Sequence, residues 1–251
     1  MLIEFAYKSD KGQIRQHNQD YIWADGEAGV FIVADGMGGL EAGEVASQLS
    51  ATTVARLIME GLGGGQNQLP PGEVEQLMLK ALESSNQAVL AAAREEGQIR
   101  KMGTTIVVVL VQLPTVFICH AGDTRAYLVR KATLTQLTED DSYVAELVAA
   151  GVISKDDIKG HPFEHVVTKA IGQNSPLEPT FSQLNVEADD WLLLCSDGLT
   201  NMVSEEALLL ELNNANGDPN YVVDALTEAA NKAGGKDNIS VIAIRILPEQ
   251  A

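Results

Sequence analysis

An α+β fold is predicted for this chain: two antiparallel β-sheets packed face to face as a sandwich, with helices outside. Three observations carry that expectation. Apolar, β-branched runs come in groups with short joins, as at 104–112, 115–121 and 126–130. Segments with helical spacing come in pairs between those groups. Strict strand–helix alternation, the mark of a doubly wound parallel sheet, is absent. The 251 residues, 45% of them hydrophobic, are enough to bury a sizeable core. Residues 1–251 are expected to form a single domain.

Taken in order, residues 2–7 read as a first strand. Residues 21–24 and 30–34 flank Asp25-Gly26 and predict a hairpin, with Asp25 serving the turn only. Val45, Ala46, Leu49, Thr53 and Leu57 recur at helical spacing and predict a helix over about 41–60. The glycine-rich and proline-rich stretch 61–72 breaks that helix and reads as a flexible linker. A second helix follows, with Val74, Leu77, Met78, Ala81, Leu82, Ala88, Val89 and Ala92 on one broad face. The three apolar runs then predict an antiparallel meander. Residues 140–172 combine weak strand signal, mixed helical patches and a polar tail with His161 and His165; they are expected to form a flap-like insertion rather than core. Strand 191–196 precedes a helix capped by Ser204. A further helix opens at Asp218-Pro219, an N-cap followed by proline at the first helical position. Strand 239–247 is the last element.

Lys and Arg number 17 against 35 Asp and Glu, a formal charge of −18. So acidic a balance argues against nucleic acid or anionic membrane as a default partner. Most of the excess is a solvated acidic surface, because a handful of site carboxylates cannot account for it. Cys119 and Cys195 each lie in an apolar run and read as small buried hydrophobes, not as a disulfide. No apolar run approaches the ~20 residues that a bilayer-spanning helix needs. The N-terminus lacks a basic segment followed by an apolar one, so no signal peptide is expected. A cytoplasmic monomer is the corresponding expectation.

Four short motifs at strand ends carry the chemistry. They are Asp35-Gly36-Met37-Gly38-Gly39, Gly122-Asp123-Thr124-Arg125, Ser196-Asp197-Gly198 and Gly234-Gly235-Lys236-Asp237-Asn238. A carboxylate at the mouth of a buried strand is held rigidly, and a neighbouring glycine lets a carbonyl, an ion or a phosphate come close. One such motif is a turn. Four of them, with Asp20, have the composition of a hard-cation site built from oxygen ligands. Mg²⁺ and Mn²⁺ keep several waters, so few protein carboxylates suffice. The four histidines are scattered and no HxH or CxxC cluster occurs, which disfavours zinc. The planar fork of Arg15 suits a phosphate. No Ser or Cys sits in an elbow-type nucleophile motif.

Together with Arg15-Gln16-His17-Asn18-Gln19-Asp20 and Met102-Gly103-Thr104-Thr105, these motifs run along essentially the whole chain in an order that resembles the metal-dependent Ser/Thr protein phosphatases of type 2C, the PPM family, particularly its compact bacterial members. The resemblance implies an α-β-β-α sandwich, with helix pairs flanking the sheets. It implies hydrolysis of phosphoserine and phosphothreonine in phosphorylated protein substrates, by water activated at two divalent cations, Mn²⁺ or Mg²⁺. It further implies that Asp35 bridges the two ions and that the Gly36 carbonyl binds one of them. Asp197 and Asp237 would complete the first ion's shell, Asp20 would orient water at the metals, and Arg15 would hold the substrate phosphate. Asp123 matches a position that, with Asp197, binds a third ion in bacterial members.

The chain departs from the family pattern at three places. Gln19 stands where Glu is most frequent; the amide still hydrogen-bonds but carries no charge. Met37 stands where eukaryotic relatives have a histidine thought to protonate the leaving group; it cannot do so and is expected to pack beneath the site. Glu164 stands where many bacterial members have Arg. Alternatives stay open for several residues. Asp123 pairs with Arg125 across a turn in the plainest reading, Arg15 is a surface residue and His120 a satisfied core histidine. His161 is either a substrate contact or a structural residue of the insertion. A binding module without turnover is the second class of function. It would be marked by loss of core carboxylates, and Asp20, Asp35, Asp197 and Asp237 are all present with Arg15.

Overall fold

Period-two alternation along the strands sorts their side chains into apolar layers. The computed structural model describes residues 2–39, 42–64, 67–95, 102–173 and 176–248. It opens with β1 (Leu2–Asp10), β2 (Asp20–Asp25) and β3 (Val30–Gly38), followed by α1 (Ala42–Gly61) and α2 (Pro71–Glu95). Next come β4 (Met102–Gln112), β5 (Thr115–Ala121), β6 (Arg125–Arg130) and β7 (Thr133–Gln136), then α3 (Tyr143–Ala149) and a 3₁₀ turn at Lys155–Asp157. The remaining elements are β8 (Thr180–Asn185), β9 (Trp191–Cys195), the one-turn α4 (Asp197–Thr200), α5 (Glu205–Asn214), α6 (Pro219–Lys232) and β10 (Ile239–Leu247).

The strands form two five-stranded sheets, in the orders β1-β10-β9-β6-β7 and β2-β3-β4-β5-β8. Along β3, Val30, Ile32 and Ala34 pack with α1 and α2, while Phe31 and Val33 face the other sheet. β10 divides likewise, with Val241 and Ala243 toward α6 and Ile242, Ile244 and Ile246 between the sheets. Such strands are buried on both faces, which is why they read as continuous apolar runs. Phe31 sits in the inter-sheet layer, fully buried, its ring 5.1 Å from Phe5 in an edge-to-face contact. Truncating it to Ala would cost roughly 3–5 kcal/mol. Ser204 caps α5 by accepting from Ala207 N, and Asp218 caps α6 by accepting from Asn220 N, both as predicted. Asp25 is a turn residue, its Oδ1 accepting from Glu27 N (3.0 Å) and Ala28 N (2.9 Å). Cys119 and Cys195 are buried free thiols. Among the described residues no helix is long and apolar enough to cross a membrane.

Four expectations are corrected. The meander stops after β4–β5, because β6 crosses to the other sheet and pairs with β7 and β9. β3 runs on through Asp35 to Gly38, so Asp35 lies in the strand rather than in a loop beyond it. Two edge strands, β7 and β8, were not anticipated: their half-exposed, polar sequences lack an apolar run. Within 140–172, Ala170 and Ile171 are core, and Ile171 exchanges backbone hydrogen bonds with Thr104 (3.0 and 2.9 Å). Gly65 and Gln66, in the predicted linker, lie outside the described residues.

Candidate active site

At one end of the sandwich the strand register brings five carboxylates together. Asp20 and Asp35 are direct partners across β2 and β3. Alternation puts Asp20 on the same face as Ile22 and Ala24, and Asp35 on the face of Phe31 and Val33, so both belong to the inter-sheet side. Asp197 opens α4 just after β9, and Asp237 lies just before β10, the neighbour of β9 in the sheet. Asp123 sits in the β5–β6 turn, made possible by Gly122 at φ +113°, where a Cβ would also run into Thr105. Gly36 is equally constrained: a Cβ there would collide with the backbone carbonyls of Gly43 and Gln19. That contact seats the start of α1 against β2 and β3. The resulting cleft of about 240 Å³ is lined by Arg15, Asp35, Met37, Asp123, His165, Asp197 and Asp237, among others.

Burial and mutual repulsion raise the proton affinity of these carboxyl groups. Asp35 is held well above the ordinary range, first by burial and then by the charges of Asp20, Asp197, Asp123 and Asp237. Burial pushes Asp20 up to about 7, against a hydrogen bond from Ser196. Asp123 is likewise pushed up to about 7, by burial and then by Asp197 and Asp140. Asp197 is raised by burial and by Asp237, and a hydrogen bond from Asn201 Nδ2 (3.0 Å) relieves it in part. A bound cation would relieve the repulsion among these carboxylates. Asp20 Oδ2 accepts from Ser196 Oγ at 2.7 Å, whereas its Oδ1 is buried without a protein partner. An orphaned buried oxygen amid repelling carboxylates fits a hard divalent cation. Among the described residues no three such side chains already form a closed cage. They stand around the cleft wall, which suits an ion that retains several waters.

A second set of contacts fixes the arginine. Arg15 Nη2 donates to Asp237 Oδ2 at 2.6 Å while about half of its side chain stays exposed. Its loop is tied down by Asn238. The Asn238 Nδ2 donates to the carbonyls of Lys11 and His17 (2.9 Å each), and its Oδ1 accepts from Gln19 N (2.8 Å). One buried amide thus holds both sides of the Arg15 loop against the strand that follows Asp237.

Comparison with known proteins decides the family. The protein phosphatase 2C family model matches residues 10–233. The chain belongs to the protein phosphatase 2C family. It is 36% identical over 247 residues to the Serine/threonine phosphatase stp of Listeria monocytogenes, covering 95% of this chain and 94% of that protein. The crystal structure of the Mycobacterium tuberculosis serine/threonine phosphatase PstP/Ppp is similar with a TM-score of 0.89 at 33% identity, over 99% of this chain and 100% of that one. The PstP catalytic domain in complex with two manganese ions matches with a TM-score of 0.85 at 33% identity, over 98% and 99% of the two chains. This chain is therefore a metal-dependent Ser/Thr protein phosphatase.

The phosphatase brings Arg15, Asp35, Gly36, Asp123, Asp197 and Asp237 to one cleft, with Asp20 just behind it. Arg125 does not pair with Asp123: its fork is bound to Asp140 (Nε–Oδ1 2.8 Å, Nη2–Oδ2 2.6 Å), which leaves Asp123 to the cleft. His120 is buried, with Nε2 2.8 Å from the Glu139 carbonyl, a satisfied core histidine. His161 is placed outside the cleft lining; its Nδ1 accepts from Phe163 N at 3.2 Å, and His165 stands in the wall instead. Met37 is part of that wall rather than packed beneath it, 3.1 Å from Gln173 Nε2 through its sulfur. Gln19 contributes its backbone carbonyl, which accepts from Gly36 N (3.1 Å) and Ser47 Oγ (2.6 Å). Glu164 is bound to Gly160 N at 2.8 Å. Asn238 and Ser196, which position Arg15 and Asp20, were missed as functional residues. Their only signal was adjacency to Asp237 and Asp197.

Proposed function

We propose that this phosphatase hydrolyses phosphoserine and phosphothreonine in proteins with two divalent cations, Mn²⁺ or Mg²⁺, held by Asp35, the Gly36 carbonyl, Asp197 and Asp237. The observation that carries the reading is the set of buried, mutually repelling carboxylates beside an exposed arginine fork. Bound there, the cations would lower the pKa of a water and screen charge developing on the phosphoryl group. Asp20 orients the attacking water through Oδ1, its other oxygen being committed to Ser196. Arg15 exchanges Asp237 for two phosphate oxygens and holds them at once. Met37 has no proton to give. Asp123, free of Arg125, would with Asp197 hold a third cation.

Phosphate release from a phosphothreonine peptide in Mn²⁺ tests the proposal. Release should stop in excess chelator and in Asp35→Asn. Undiminished release in chelator would contradict it, and a Mn²⁺-loaded protein that binds the peptide but releases no phosphate would support a binding module instead.

A further inference from the structure

We infer that a second groove opening off the catalytic cleft reads the flank of the phosphorylated segment and favours acidic residues there; this rests on the phosphatase reading above. The groove is a cavity of about 580 Å³ that shares Arg15, His165 and Asp197 with the cleft. A peptide whose phosphate sits at the carboxylates therefore has this groove as its adjoining space. Its further lining includes Lys159 and Glu164 of the flap segment and Lys236 of the loop before β10.

The charges of the groove run against those of the whole chain. The protein carries −18, yet two exposed ammonium groups from separate segments line this one cavity. Among the described residues neither lysine is salt-bridged within the protein, whereas Arg56, Arg125, Arg130, Lys169 and Arg245 all are. Of the carboxylates in the groove, Asp197 and Asp237 belong to the cation-binding set. Glu164 accepts from Gly160 N at 2.8 Å, which holds it against its own segment. With Arg15 given to the phosphate, what remains for a peptide flank is Lys159 and Lys236, with Glu164 as the opposing charge among these groups. An acidic side chain next to the phosphoresidue gains two ion pairs here, and a basic one meets two like charges. Selectivity follows from both terms.

The experiment uses full-length protein with Mn²⁺ and two phosphothreonine peptides, identical except for flanks of Glu or of Lys. p-Nitrophenyl phosphate, which has no flank, reports the chemistry alone. Wild type should prefer the Glu-flanked peptide in kcat/KM by about tenfold, as expected of two partly exposed ion pairs set against two repulsions. The preference should shrink at high salt. Lys159→Glu should abolish or invert it, and Lys236→Met, a neutralisation because Asp237 is adjacent, should reduce it about threefold. Neither should change p-nitrophenyl phosphate turnover by more than about twofold. Equal rates on the two peptides in wild type would overturn the inference, as would an unchanged preference in Lys159→Glu. A parallel loss on all three substrates would assign the lysines to the chemistry and overturn it too. If wild type hydrolyses none of the substrates, the phosphatase reading itself fails and the groove's role falls with it.

Discussion

Stripping the cations should make this phosphatase lose stability as pH rises toward neutrality, by an amount set by its buried carboxylates. Asp20 and Asp123 bind protons more tightly in the folded state than in the unfolded chain, with folded values near 7 against 3.8. Between those limits the native state carries the more protons, so stability falls as pH rises, and the loss is complete above about 7. For Asp20 alone the displacement corresponds to on the order of 4 kcal/mol. About 3 kcal/mol of that falls between pH 5 and pH 8, or roughly 6–12 °C in melting temperature for a chain of this length. The assay is thermal unfolding at pH 5 and pH 8, in chelator and in Mn²⁺. The melting temperature in chelator should be lower at pH 8, and Asp20→Asn should remove Asp20's share of the difference, leaving that of Asp123, because a neutral amide has no charge to bury. Mn²⁺ should raise the melting temperature more at pH 8 than at pH 5, since it replaces protons that are already leaving. A chelated protein whose melting temperature is flat or rises over this range would refute the reasoning. So would an Asp20→Asn protein that keeps the whole fall.

Arg15→Ala should raise KM more than it lowers kcat, with Arg15→Lys recovering only part; a Lys variant equal to wild type would reduce Arg15 to a point charge. Gly36→Ala puts a Cβ into the carbonyls of Gly43 and Gln19, neither of which can swing aside as a side chain would. It should cost about 3 kcal/mol or more and lower the melting temperature, and an unchanged one would show that α1 has room to move. Asp140→Ala leaves the Arg125 guanidinium without its bidentate partner. A loss of roughly 3–5 kcal/mol in denaturant unfolding is expected; wild-type stability would mean that water replaces the carboxylate freely.

Local signals carried much of this fold. Asp25-Gly26 between two apolar runs, Ser204 and Asp218-Pro219 each act through atoms within four residues, and each is where its sequence predicts. The sheet assignment of β6 was not legible in the same way. A short join after β5 is compatible with a hairpin or with a crossing to the other sheet, and the partners that decide it, β7 and β9, lie up to 70 residues further on. Edge strands β7 and β8 bury little, so they carry no apolar run to find. Four of the site carboxylates were legible because a nearby glycine marks each one, as where Gly36 and Gly122 admit backbone that a Cβ would exclude, whereas Asp20 has no such glycine. Asn238 and Ser196 were not, since a buried amide or hydroxyl gains its role only from groups brought near by folding, such as His17 and Asp20. The difference between His161 and His165 has the same origin: in an irregular segment no period tells which side chain faces the cleft.

Counting bound cations alongside turnover tests the central claim most directly, that these carboxylates exist to hold catalytic metal. Mn²⁺ titrated calorimetrically into metal-free wild type and Asp35→Asn, with phosphate release from a phosphothreonine peptide measured on the same samples, is the measurement. The account predicts two tightly bound ions and turnover in wild type, with tight binding and phosphate release lost together in Asp35→Asn. Turnover by wild type with no ion bound, or an Asp35→Asn protein that keeps both ions and the full rate, would contradict it.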